Sequence, residues 1–83
     1  MENVKNYFVN FANGDTALIY VSVEGISANV LKRFAERAAK TKVLEVYHVP
    51  QEDLQYYCIG GRVWIDTPEK AETVKKLAQY EKN

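Results

Sequence analysis

The stretch VKNYFVNFANGDTALIYVSVE, residues 4–24, decides the fold of this chain. Two runs rich in aromatic and β-branched residues, 4–11 and 16–24, flank the polar segment Ala12-Asn13-Gly14-Asp15. Such runs joined by a short segment that contains glycine are typical of a β-hairpin. We therefore expect the chain to begin with two antiparallel strands.

Two registers of this hairpin compete. A two-residue turn at Asn13-Gly14 pairs Tyr7 with Tyr20 and mixes the two faces, whereas a three-residue loop with Gly14 in the left-handed conformation pairs odd positions with odd positions. Because register follows the hydrophobic pattern where one face is buried, the sequence favours the longer loop. The face to be covered then holds Tyr7, Val9, Phe11, Ala17, Ile19, Val21 and Val23, and the other face holds Asn6, Phe8, Asn10, Leu18, Tyr20 and Ser22.

Two amphipathic helices are expected on the C-terminal side of the hairpin. Ser27 is a good N-cap for a helix over residues 28–40, and Thr67-Pro68-Glu69 is a typical start for a second helix over 68–81. Both segments carry apolar residues at helical spacing. The inner positions are Val30, Leu31, Phe34, Ala35 and Ala38 in the first helix and Ala71, Val74, Leu77 and Ala78 in the second.

The segment between the helices predicts three more strands. Residues 42–49 alternate like a strand that Pro50 ends. Residues 54–59 and 62–66 flank Gly60-Gly61 and predict a second hairpin with a two-residue turn. The core side is expected to take Leu44, Val46, Leu54, Tyr56, Cys58, Val63 and Ile65.

The predicted fold is a single α+β domain over residues 1–83 in the order β-β-α-β-β-β-α. Two helices would cover one face of a five-stranded antiparallel sheet in a two-layer arrangement. The pattern does not fix the order of the strands within the sheet, so the edge strands stay open at this point.

The uncovered face of this sheet is expected to carry more large side chains than scattered exposure explains. Its predicted members are Phe8, Leu18, Tyr20, Val43, Tyr47, Tyr57, Ile59 and Trp64. Contiguous apolar patches of that kind mark binding surfaces, although cross-strand packing alone also places tyrosines there. We predict a partner-binding site at Phe8, Tyr20, Tyr47, Tyr57, Arg62 and Trp64.

The charge balance argues against nucleic acid as the main partner. The chain has 11 basic and 11 acidic residues, whereas phosphate recognition usually requires a basic excess. The chain also begins with a hairpin, and Gly61-Arg62-Val63-Trp64-Ile65 departs from the RNA-recognition-motif pattern. Single-stranded nucleic acid stacking on the same aromatics remains the alternative hypothesis.

No residue set predicts catalysis, a metal site or a cofactor. His48 and Cys58 are the only histidine and cysteine, and the alternation places Cys58 in the core, where a cysteine acts as a small hydrophobe. A third hypothesis, a small-molecule or enzymatic pocket around His48, has no local signature. A single cysteine, no signal sequence and no apolar run of membrane length predict a cytoplasmic protein.

The sequence is therefore interpreted as a small cytoplasmic interaction module without enzymatic activity. It would dock a sheet face or a sheet edge onto a protein partner and form a homodimer, since oligomerisation often completes a small core. A short chain without motifs would suit a phage or mobile-element inhibitor that binds a host protein. No membrane contact is expected.

Overall fold

The computed structural model describes residues 4–57 and 60–79. Its elements follow in the order β-β-α-β-β-α, with a 3-10 helix between the third and fourth strands. They are β1 (Lys5–Phe11), β2 (Thr16–Val21), α1 (Ala28–Ala39), β3 (Val43–Val49), the 3-10 helix (Gln51–Tyr56), β4 (Gly61–Ile65) and α2 (Pro68–Gln79).

The sheet is mixed and has the strand order β3-β1-β2-β4. β1 runs antiparallel to both β2 and β3, whereas β4 is parallel to β2. Leu31 and Ala35 of α1 and Ala71 and Val74 of α2 pack with strand residues in one core cluster, so both helices cover the same face. The α+β class is confirmed, but the predicted sheet of five antiparallel strands and its element order are wrong.

The first hairpin has the predicted odd-to-odd register. Tyr7 lies opposite Ile19, and Gly14 adopts a φ of 94°, which a residue with a side chain rarely adopts. The Phe11 amide donates to the Asp15 carbonyl (2.9 Å) and the Gly14 amide to the Phe11 carbonyl (3.1 Å). The three-residue loop thus sets which side chains of both strands face the helices.

The predicted second hairpin is absent from the described residues, and the reason is topological. β3 and β4 lie at opposite edges of the sheet, so the chain between them has to cross it. Residues 51–56 form the 3-10 helix instead of a strand, Tyr56 is 76% exposed instead of buried, and Leu54 is only half-buried. The predicted core position Cys58 and the predicted open-face position Ile59 lie outside the described residues.

A bulge in β3 exchanges two predicted positions. Val9 lies opposite Val46, but Phe11 lies opposite Val43, so β3 contains one additional residue between these pairs. As a result Val43 is buried in the core cluster and Leu44 is 62% exposed, the reverse of the prediction. Val46 packs against the core as predicted.

Both predicted N-caps are confirmed. The Ser27 hydroxyl oxygen accepts from the Val30 amide and the Thr67 hydroxyl oxygen from the Lys70 amide, both at 3.2 Å. These bonds satisfy amides that the first helical turn leaves without partners. α1 ends at Ala39, and the next residue, Lys40, donates its amide to the Glu36 carbonyl (2.8 Å) and turns the chain away with a left-handed backbone.

The entry into β4 depends on Gly60. Its amide donates to the Thr16 hydroxyl oxygen (2.9 Å), and a β-carbon at this position would lie 2.9 Å from the Thr16 carbonyl oxygen. We expect Gly60→Ala to lower the free energy of unfolding by about 1–2 kcal/mol, because the backbone has to move. Gly61→Ala is the matched control, since a β-carbon there meets nothing within 4 Å. Equal urea midpoints for the two variants would contradict this account.

Candidate functional site

Two rows of side chains cross the sheet on the face turned away from the helices. The strand pairings place Tyr47, Phe8, Leu18 and Arg62 in one row and Val49, Asn6, Tyr20 and Trp64 in the next. The Tyr57 ring packs on this face against Phe8, with ring centroids 4.9 Å apart. The structure therefore brings all six residues of the predicted binding site, Phe8, Tyr20, Tyr47, Tyr57, Arg62 and Trp64, onto one face.

The centre of this face is covered. Leu18, Val49 and Asn6 are buried although α1 and α2 pack on the opposite face. The connection from β3 to β4 runs across this face: the Asn6 side-chain amide donates to the Gln51 side-chain oxygen (3.0 Å), and Tyr57 meets Phe8. The centre of the predicted open aromatic face is thus buried, and Gln51 and Tyr57 of this connection contact it.

Exposure on this face remains at the two edges of the sheet. Tyr47 on β3 is 43% exposed and Trp64 on β4 is 53% exposed. Phe8, Tyr20 and Tyr57 are half-buried, and the predicted open-face members Leu18 and Val43 are buried. Three strand spacings, about 14 Å, separate the two edges, so the exposed rings form two surfaces instead of one.

The surface at the β4 edge consists of Trp64, Tyr20 and Arg62, and we call it the Trp64 cluster. The Tyr20 and Trp64 rings stack with centroids 3.9 Å apart and an interplanar angle of 11°. An Arg62 guanidinium nitrogen (Nη1) donates to the Tyr20 phenol oxygen (2.8 Å). One face of the indole is covered by Tyr20, and the exposed half of Trp64 is held in a fixed orientation.

The surface at the β3 edge is organised differently. Tyr47 stacks on Phe8 with ring centroids 6.2 Å apart, and its phenol donates to a carboxylate oxygen of Glu45. This hydrogen bond is the main reason that the pKa of Tyr47 is raised, followed by partial desolvation and the negative charge of Glu45. The phenol stays protonated and its hydrogen is already donated to Glu45, so Tyr47 has no free hydrogen-bond donor for a partner.

A groove of 290 Å³ lies beside β4 on the helix side of the sheet. Val63, Trp64 and Ile65 of β4 line it together with Phe34 of α1 and Val74 of α2. Glu69 and Lys70 stand at its rim, and Lys70 also donates to Asp66 (2.9 Å), a bond that lowers the pKa of that carboxyl. The sequence assigned Phe34 and Val74 to the core stripes of the helices but gave no sign of a groove.

Of the two residues considered for chemistry, His48 lies within the described part of the chain and Cys58 does not. His48 is an exposed residue of β3 whose ring meets the Tyr7 ring edge-on at 5.6 Å. Across residues 4–57 and 60–79, no three histidine, cysteine or acidic side chains are grouped so that they could hold a metal ion. None of the helices in this part of the chain has the length and apolar character needed to cross a membrane.

Comparison with known proteins adds no relative. No protein-family model, curated protein or solved structure matches the chain. A functional assignment therefore rests on the Trp64 cluster and the groove next to it.

Proposed function

We propose that this protein is a small, non-enzymatic, cytoplasmic interaction module that docks onto a protein partner through the Trp64 cluster and self-associates. The observation that carries this proposal is the state of Trp64: its ring is stacked on Tyr20 at 3.9 Å and yet 53% exposed. A partly exposed indole that is stacked on a neighbouring ring offers a large apolar surface with a polar N–H, which is the kind of side chain enriched at protein interfaces.

The composition of the cluster supports a protein partner. Tryptophan, tyrosine and arginine are the residues most enriched among those that dominate binding energy at protein interfaces. The Tyr20 stack and the Arg62 hydrogen bond restrict the side chains before any partner arrives. Less conformational entropy is then lost on binding, which raises the affinity for a given contact area.

The chemistry of the cluster indicates what the partner presents. An apolar side chain of the partner would cover the exposed part of the indole. A carboxylate or carbonyl oxygen would accept from Arg62, which carries five N–H donors and uses one of them on Tyr20. For the biological setting, we propose a phage or mobile-element inhibitor that blocks a host protein, since a short docking module needs no chemistry of its own for this role.

The test compares two aromatic substitutions at exposed positions. We expect Trp64→Ala to weaken binding of a host protein by about thirtyfold or more, whereas Tyr56→Ala, which removes a ring that is 76% exposed, leaves binding unchanged. The immobilised wild-type chain captures the partner, and titration calorimetry compares the variants. Binding that survives Trp64→Ala would overturn the assignment, and unfolding of this variant would show that Trp64 belongs to the core.

A single-stranded nucleic acid is the second candidate ligand. One observation favours it: an exposed indole beside a guanidinium is an arrangement on which bases stack. Trp64 is the only tryptophan, so its fluorescence reports directly on this site. Quenching by an oligonucleotide that weakens steeply with salt would support stacking, and no quenching at low salt would exclude it.

A further inference from the structure

The outer edge of β4 presents backbone groups that no other strand of residues 4–57 and 60–79 pairs with. The Ser22 amide donates to the Ile65 carbonyl (3.1 Å), so Ile65 directs its backbone groups toward β2. In an extended strand, successive residues point these groups to opposite sides, and Arg62 and Trp64 therefore direct theirs away from β2. No described strand pairs with this side of β4.

The two edges of the sheet are protected to different degrees. β3 carries the bulge at Leu44 and ends directly before Pro50, and both features hinder the pairing of a further strand. β4 is regular over its five residues and contains no proline. An exposed regular edge is a template for another strand, so a further strand is expected to pair with β4 and not with β3.

The groove beside β4 would receive the side chains of such a strand. It lies on the helix side, where Val63 and Ile65 point and where Phe34 and Val74 add apolar wall. A strand added next to β4 would place alternate side chains over this groove and the others beside Trp64. The strand that fits therefore has small or medium apolar residues on one face and a group that complements the indole on the other.

β4 itself has this pattern, and we propose that a second copy of this chain pairs with it, strand against strand, in an antiparallel two-fold arrangement centred on Val63. Arg62 of each copy lies opposite Trp64 of the other, with their outward backbone groups hydrogen-bonded. In this arrangement each guanidinium exchanges its hydrogen bond to Tyr20 for a cation–π contact with the other copy's indole, on the face that Tyr20 does not cover. This inference deepens the self-association in the proposed function and rests on that part of it. Because the dimer covers Arg62 and Trp64, the second copy and the protein partner would compete for the Trp64 cluster.

The other two-fold registers that use the outward groups are less favourable. Centring on Arg62 sets two guanidinium groups directly opposite each other, and like charges in that position destabilise a sheet. Centring on Trp64 places Arg62 opposite Asp66. Asp66 lies beyond the end of β4 and already accepts a hydrogen bond from Lys70. Only the Val63-centred register places Arg62 opposite Trp64 and uses residues that all belong to β4.

The first test removes the outward amide of Arg62 and its side-chain hydrogen bond to Tyr20 while leaving the backbone hydrogen bonds between β4 and β2 in place. We expect the wild-type chain to be dimeric by light scattering at high concentration and Arg62→Pro to raise the dimer dissociation constant by about thirtyfold, because each copy loses a backbone donor and a cation. Leu44→Ala on the opposite edge is the control and should dimerise like wild type. Circular dichroism checks that each variant keeps its secondary structure.

The second test does not depend on the fold tolerating proline. In a Cys58→Ser background, Val63→Cys should form a disulfide between copies under mild oxidation, since facing residues of a non-hydrogen-bonded pair lie about 4.5 Å apart between Cα atoms, within disulfide reach. Leu44→Cys in the same background is exposed on the other edge and should stay uncrosslinked.

The outcomes separate this inference from the docking proposal. A dimer that Arg62→Pro dissociates, with cross-linking at position 63, supports pairing at β4. A dimer that withstands Arg62→Pro, or one that cross-links at position 44 alone, overturns the β4 site but leaves self-association standing. A chain that is monomeric at every concentration overturns self-association, whereas the effect of Trp64→Ala on the captured host protein still decides whether the cluster docks a partner.

Discussion

Leu18→Ala is expected to lower the free energy of unfolding by about 3 kcal/mol. Leu18 lies on the sheet face opposite the helices and is nevertheless fully buried. Truncating a buried leucine removes favourable contacts and leaves a cavity, which together typically cost about 2–5 kcal/mol. The loss is a large part of the stability of a domain of this size, and urea unfolding followed by circular dichroism measures it.

Leu44→Ala is the matched control for this substitution. It removes the same atoms from a leucine that is 62% exposed on β3, and we expect a change within about 0.5 kcal/mol. If Leu18→Ala were as mild as Leu44→Ala, Leu18 would not be buried on this face. The aromatic face would then be open, as the sequence alone predicts.

Asn6→Asp is expected to cost about 3–5 kcal/mol at neutral pH. Asn6 is buried, and its side-chain nitrogen donates to the Gln51 side-chain oxygen (3.0 Å) and, at 3.5 Å, to the Val49 carbonyl. Its side-chain oxygen has no hydrogen-bond partner among the described residues. A carboxylate at this position would face two acceptors and be buried without a compensating charge.

The pH dependence of this variant has a definite sign. Burial and the facing acceptors would raise the pKa of the new carboxyl in the folded state above its unfolded value. The variant should therefore lose stability as pH rises from the unfolded pKa through the folded pKa, and regain it on acidification. Urea midpoints across this range, compared with wild type, measure the effect. Asn29→Asp is the control, since it places the charge on the exposed first turn of α1.

The sequence predicts best those elements whose signals are local. The first hairpin follows from Gly14 and the alternation on both sides of it, and the helix starts follow from Ser27 and Thr67. Each of these depends on a few neighbouring residues and on one buried face. The grouping of Phe8, Tyr20, Tyr47, Arg62 and Trp64 on one face follows from the same alternation and does not depend on strand order. Tyr57 also reaches this face, but from the end of the 3-10 helix instead of the predicted strand.

The failures all concern information that is not local. The string LQYYCI at 54–59 alternates as a strand does, but the position of β4 at the far edge requires a crossing connection there. The bulge at Leu44 depends on how β3 pairs with β1 and reverses the burial of Val43 and Leu44. Leu18 is fully buried on the face turned away from α1 and α2, and no pattern within β2 predicts this burial.

The pairing of β4 with β2 has a kinetic consequence. Gly60 and Thr16, which bond at the start of this pairing, are 44 positions apart in the sequence, whereas β1 and β2 meet across one short loop. Closing the longer segment requires a larger loss of chain entropy, so β4 should join the sheet late in folding and detach first during local opening. The strand that carries the exposed tryptophan would then also be the least persistent strand of the sheet. A second molecule bound along the edge of β4 would slow that opening. The lifetime of the folded state would then depend on whether a partner is bound there.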